Sequence, residues 1–229
     1  MGLWFAQGTF LDISFLPTTL TQPVQTMKTI FATITSGLLA LGLSLSAAVE
    51  TGQEAPDFTL TDTHGQAHSL SDFRGQYVVL EWINHECPFV VRHYQSGNMQ
   101  ALQREVAEMG GIWLSINSSN VGKQGYTSAD EANALTEKLD AAPAAVLFDT
   151  DGTVGRMYDA RTTPHMYVIT PEGVLVYQGA IDDRRSGQLM QPGEVDEINN
   201  FVRSALQAHM NGEEIDPDTT RAYGCTVKY

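Results

Sequence analysis

From Val49 onward the apolar positions fall into short blocks whose period alternates between strand-like and helix-like. Phe58-Thr59-Leu60 and Ala67-His68-Ser69-Leu70 flank the turn Thr63-His64-Gly65-Gln66, the pattern of a short β-hairpin. Asp72 to Gln76 reads as a loop. Tyr77 to Trp82 is a run of strand length, rich in β-formers, and predicts a central buried strand. Helical spacing then takes over. Val90, Val91, Tyr94, Met99, Leu102, Val106 and Met109 predict a helix from Pro88 to Met109, kinked at Ser96-Gly97-Asn98 and ended by Gly110-Gly111. Proline suits the first turn, where a missing N–H costs nothing.

Ile112 to Ile116 is the next buried strand. Ser128 is placed to cap a helix reaching Leu139, with Asp130 and Glu131 in its first turn. Ala145 to Phe148 is a strand, Asp149-Thr150-Asp151-Gly152 a turn rather than a calcium loop, and Thr153 to Tyr158 a short helix. Met166 to Ile169 and Leu175 to Gln178 flank Pro171-Glu172-Gly173, a second hairpin. Glu194 to His209 carries an apolar stripe of helical period, and Asn211 to Tyr229 reads as an irregular tail. Helices alternating with apolar strands, closed by a hairpin, specify an α/β fold. Its mixed central sheet is flanked by helices, with an N-terminal hairpin and an inserted αβ unit.

The segment before Val49 has a different character. Met27-Lys28 precedes an apolar stretch from Ile30 to Leu45, which ends in Ser46-Ala47-Ala48. A charged start, a short apolar core and a small-residue exit describe a signal peptide over 27–48. Residues 1–26 then read as an over-extended N-terminus, with translation starting at Met27. The mature domain would span 49–229, with its tail at 211–229, in the periplasm or outside the cell. No stable membrane span would remain after processing.

A net charge of −14 argues against a nucleic-acid partner, because phosphate binding needs Lys and Arg. The two cysteines, Cys87 and Cys225, allow one bridge and no multi-cysteine metal site. An exposed thiol is short-lived in an oxidising compartment, so the two are expected to pair, the tail folding back over the domain. Cys87 falls just after a strand and at a helix start, where unpaired N–H groups favour a thiolate. His85 is close enough in sequence to add a donor or a positive charge. Glu86 would oppose the thiolate unless it points to solvent. Trp82 and Tyr94 are expected in the core or the wall of the site.

The stretch Trp82-Ile83-Asn84-His85-Glu86-Cys87-Pro88-Phe89-Val90 resembles the active-site turn of thioredoxin-like proteins. Thr162-Thr163-Pro164-His165 resembles the Thr-Pro segment that faces that turn, which implies a cis bond before Pro164. Gly173 to Asp183 resembles the closing hairpin. Tyr223-Gly224-Cys225-Thr226-Val227-Lys228-Tyr229 resembles the C-terminus of peroxiredoxin-like proteins of the alkyl hydroperoxide reductase/thiol-specific antioxidant (redoxin) superfamily. In that register Asn84 takes the first cysteine position of a Cys-x-x-Cys pair and Cys87 the second. Asn84 also replaces the threonine of the peroxiredoxin pattern, and Arg161 resembles the arginine that steadies a peroxidatic thiolate.

The resemblance implies an oxidoreductase, a thiol peroxidase or a thiol–disulfide exchanger. Cys87 would attack a peroxide or a protein disulfide, Cys225 would resolve the product, and an external thiol would restore both. The site residues are Cys87, Cys225, Pro164, His85, Asn84 and Arg161. Sulfur carries the electrons, so no metal or organic cofactor is needed. The alternative is a binding module that keeps Cys87–Cys225 as a structural staple.

Overall fold

The computed structural model describes residues 49–184 and 198–229. Its centre is a seven-stranded sheet. The hairpin strands are β1 (Thr59–Asp62) and β2 (Ala67–Ser69), followed by a 3-10 turn at Leu70–Phe73. The middle is built from β3 (Val78–Trp82), β4 (Ile112–Asn117) and β5 (Ala145–Phe148). The closing hairpin is β7 (His165–Ile169) and β8 (Leu175–Gly179), and the short β6 (Thr162–Thr163) precedes it. The order across the sheet is β2-β1-β5-β4-β3-β7-β8. β3 runs parallel to β4, and β4 to β5, while β7 lies antiparallel to β3 and β1 antiparallel to β5. The sheet is therefore mixed, as the alternating pattern and final hairpin predict.

β3 is central and wholly buried. Leu80 and Trp82 face a core layer with Leu114, Ile116, Tyr158 and Tyr167. Val79 faces the other layer with Val90, Leu102, Val168 and Leu206. Both faces are covered, which is why this strand reads as a near-continuous apolar run.

The long helix expected over 88–109 is two helices, α1 (Pro88–Gln95) and α2 (Asn98–Glu108). Gly97 separates them in the left-handed region at φ 77°, so the expected kink is a full break. α3 (Ala129–Lys138) is capped by Ser128, whose hydroxyl accepts from the Glu131 N–H at 3.3 Å. α4 (Thr153–Met157) begins over Asp149, whose carboxylate accepts from the Val154 and Gly155 N–H groups at 3.0 and 2.8 Å. That carboxylate is a helix cap.

The last helix, α5 (Phe201–Met210), starts later than the apolar stripe implies. Asn200 bridges to Asp182 and caps the helix by accepting from the Arg203 N–H, so residues 198–200 are not helical. The earlier part of the expected helix, 194–197, lies outside the described residues, as do 1–48. The tail also departs from expectation. It contains β9 (Cys225–Thr226), paired antiparallel with β6 in a separate two-stranded sheet. No helix among the described residues is long and apolar enough to cross a membrane.

Candidate active site

β3 ends at Trp82, and the chain turns through Ile83–Glu86 before α1 begins. Cys87 is the N-cap of α1, with extended backbone at φ −78°, ψ 122°, and Pro88 follows it in the first turn. Its side chain has no solvent exposure. Two strands meet it there. β6 contributes the Thr163 carbonyl, which accepts from the Cys87 thiol at 3.0 Å. β9 contributes the Cys225 N–H, which donates to the same sulfur at 3.4 Å. Thr163 pairs directly with Cys225, and the Thr163–Pro164 bond between them and β7 is cis. Both cysteines are free thiols.

The two thiols are electrostatically unequal. Burial pushes the Cys87 thiol up, but hydrogen bonds from the Cys225 side chain, the Val90 and Cys225 N–H groups and the Thr163 side chain outweigh it. The net direction is down. Cys225 moves the other way, to about 11, through burial, the hydrogen bond to Cys87 and the charge on that sulfur. Cys87 is therefore the first of the two thiols to ionise, and Cys225 keeps its proton to higher pH.

Asn84 is buried in the turn. Its amide donates to the Gln124 carbonyl at 3.3 Å, and its oxygen accepts from the Glu86 N–H at 2.9 Å. A Cβ on Gly125 would lie 2.3 Å from that amide, so this turn and the Gly125 loop interlock. The cap itself belongs to Cys87, and the residue three further on, in the first helical turn, is Val90. Asn84 stands three residues before the cap and Val90 three after it, and neither position carries a second sulfur. The second sulfur comes from the tail instead.

The remaining expected residues are spread unevenly. The His85 imidazole lies against the Tyr94 ring, 5.8 Å between centroids, and burial lowers its pKa to about 4. It is neutral at physiological pH and gives Cys87 no positive charge. Glu86 is exposed and its carboxylate accepts from the Gly125 N–H at 3.2 Å, away from the sulfur. The Arg161 guanidinium is 75% exposed and paired with Asp159 at 2.6 Å. Only its backbone serves the site, the Arg161 carbonyl accepting from the Val227 N–H at 3.1 Å and so holding the tail.

Two buried polar clusters escaped the sequence reading. Glu81, on β3, accepts from Trp113 Nε1 at 3.0 Å, Ser115 Oγ at 2.9 Å and the Tyr94 hydroxyl at 3.0 Å. Burial raises its pKa despite these bonds. The second cluster locks the tail onto α1. Arg92 and His93 are fully buried on the helix, and Asp182 is buried beyond β8. Arg92 Nη2 donates to the Tyr223 hydroxyl at 2.6 Å and lies 3.4 Å from Asp182 Oδ1. The Tyr223 hydroxyl donates to that same carboxylate oxygen. Its ring packs on Phe89. One signal was available: Arg92-His93 interrupts a helix otherwise read as apolar, and a buried guanidinium requires a carboxylate partner.

Comparison with known proteins agrees with this architecture. The chain is 26% identical to the thiol-disulfide oxidoreductase ResA of Bacillus subtilis over 153 residues, 61% of this chain and 76% of that one. It is also 26% identical over 127 residues to the thioredoxin-like protein YneN of the same organism, covering 56% and 69%. A solved structure of a conserved protein from Geobacillus kaustophilus superimposes with a TM-score of 0.68 at 27% identity, covering 79% of this chain and 92% of that one. The AhpC/TSA family model matches residues 51–178, a span holding Cys87, the cis Thr163–Pro164 bond and the central sheet, but ending before Tyr223 and Cys225. With more than half of its length matched and a thioredoxin-like α/β fold around the capping cysteine, this chain belongs to the AhpC/TSA family.

Proposed function

We propose that the protein is a thiol–disulfide oxidoreductase whose redox couple is split between the helix cap and the tail. Cys87 thiolate attacks one sulfur of a substrate disulfide, forming a mixed disulfide and releasing one substrate thiolate. Cys225 then attacks the Cys87 sulfur. A Cys87–Cys225 disulfide forms, the second substrate thiol leaves, and two electrons have passed to the substrate. An external dithiol restores the reduced pair. Within this reading Pro164 and Thr163 shape the wall beside the sulfur, Asn84 fixes the turn, and His85 borders it.

The observation that carries the reading is the Cys225 N–H on the Cys87 sulfur, with the helix-cap thiol lowered and the tail thiol raised. The thiol–disulfide oxidoreductase activity in the name of the relative ResA is the same class of reaction. A peroxide is a second oxidant for the same couple, favoured by the complete burial of Cys87, which suits a small reactant. The thiolate would take one peroxide oxygen as sulfenic acid, and Cys225 would displace water to give the same disulfide.

The test is to oxidise reduced protein with 2-hydroxyethyl disulfide or hydrogen peroxide and map the product without reductant. A Cys87–Cys225 peptide that forms at the rate of thiol loss, and reverses with dithiothreitol, is expected. Separate, unlinked thiols after oxidation would overturn the split couple. A bridge that resists dithiothreitol in the folded protein would favour the structural staple. The apolar segment over 27–48 supports export to an oxidising compartment, and a mature N-terminus near Val49 in protein from its native cell would test that.

A further inference from the structure

The strand edge beside Cys87 is already occupied. β6 has β9 as its partner in the two-stranded sheet, with Thr162 opposite Thr226 and Thr163 opposite Cys225. A disulfide within an extended peptide brings its backbone with it, and such a backbone gains affinity by pairing with a strand edge. Here the chain's own tail makes that pairing, and its cysteine stands where the cysteine of such a segment would stand.

The fit of the tail is specific at three consecutive residues. Tyr223 is clamped by Arg92, Asp182 and Phe89. Gly224 passes so close to β6 that a Cβ on it would sit 2.0 Å from the Thr163 carbonyl oxygen, and its φ of +140° is one that other residues rarely adopt. Cys225 then reaches the buried sulfur. All three lie beyond the family-matched span of 51–178.

We infer that the C-terminal strand is the specificity determinant of the site, a built-in occupant of the β6 edge that admits small oxidants to Cys87 and turns away extended peptide disulfides while it is seated. Tyr223 and Gly224 act as positioning residues, through the strand and not by touching substrate. The inference rests on the thiol–disulfide reading above and names the substrate class of that same site.

The first exchange step isolates the effect. In a Cys225→Ser background the mixed disulfide on Cys87 cannot be resolved and accumulates. Two probes are used: 2-hydroxyethyl disulfide, and a ten-residue extended peptide carrying one central cysteine as its mixed disulfide with 2-mercaptoethanol. Mass spectrometry gives the second-order rate for each. The background chain is expected to react at least tenfold faster with the small probe. Adding Gly224→Ala, which pushes the strand off Thr163, should raise the peptide rate about tenfold and move the small-probe rate by less than about threefold. Tyr223→Phe, which keeps the ring on Phe89 and removes the hydroxyl, should move the ratio the same way by a smaller factor; it serves if the alanine variant folds poorly. A ratio near one in the background chain, or an unchanged ratio in both variants, overturns the inference. No mixed disulfide on Cys87 with either probe in any chain would instead overturn the exchange reading beneath it.

Discussion

Arg92 and Asp182 meet in the interior with the guanidinium 3.4 Å from the carboxylate, and neither side chain reaches solvent. Tyr223 bonds to both, so the charge pair that neutralises the interior also fastens the tail. Removing one member of a buried pair is far more costly than never having had it, because the surviving charge keeps its desolvation penalty. Asp182→Asn should therefore lower stability by about 3 kcal/mol, read by urea denaturation. The same variant should slow Cys87–Cys225 bond formation, since Tyr223 loses the acceptor for its hydroxyl. Unchanged stability would mean that Arg92 is satisfied without the carboxylate.

The two thiols also carry a signed prediction. Hydrogen bonding from Cys225 is the largest of the influences that lower the Cys87 thiol. Cys225→Ala should raise the Cys87 pKa, which absorbance of the thiolate near 240 nm measures across a pH titration. A midpoint that stays in place or falls would assign the lowering to the groups other than the Cys225 side chain, the Val90 and residue-225 N–H groups among them.

Acid should destabilise the fold through its histidines. Burial lowers His93 to about 3, with Arg92 adding repulsion, and lowers His165 to about 4. Each folded value lies below the ordinary 6.5, so the unfolded chain binds these protons first. The contribution is complete above pH 6.5 and is lost as pH falls toward 4 and then 3, on the order of 3 kcal/mol for His165. In thermal melts the wild-type chain should gain stability relative to His165→Gln as pH rises from 4 to 6.5, and the difference should stay constant above 6.5. Parallel curves would rule out titration of this ring.

Glu81 predicts the opposite slope. Its folded pKa is raised by burial, so the folded chain binds the proton more tightly than the unfolded one. Its contribution is greatest below the ordinary carboxylate value and declines as pH rises through the folded one. Glu81→Gln is neutral throughout. Its melting temperature relative to the wild-type chain should increase with pH from 4.5 upward, and a constant difference would contradict the burial argument.

Much of the fold is written in periodicity. β3, β4 and β5 appear as buried apolar runs, and the capping box at Ser128 and Glu131 marks α3 to within a residue. Of the site, Cys87 at a helix start and the turn at Pro164 are local signals. The helix break at Gly97 was legible only as a kink, because a single glycine does not state its φ. What was not legible depends on distance. Glu81 sits inside a run that reads as strand whether its carboxylate faces water or Trp113. Arg92, Asp182 and Tyr223 belong to three segments that only the folded chain assembles. β9 has two residues, too few for any alternation to register.

Cys87 and Cys225 stand 138 positions apart, and that separation ties electron count to the endurance of the whole domain. A two-residue Cys-x-x-Cys ring constrains little of an unfolded chain. A Cys87–Cys225 bond would close one loop from α1 to the tail, with β1 to β3 outside it, and an entropic stabilisation of about 5 kcal/mol before strain. By thermodynamic closure, the free energy with which the bond steadies the fold equals the free energy with which the fold favours the bond. The difference between melts of the oxidised and reduced protein is then a calorimetric measure of how much harder the folded molecule is to reduce than its denatured chain. With that bond, a change in the redox state of this protein would also change how long it resists heat and proteolysis.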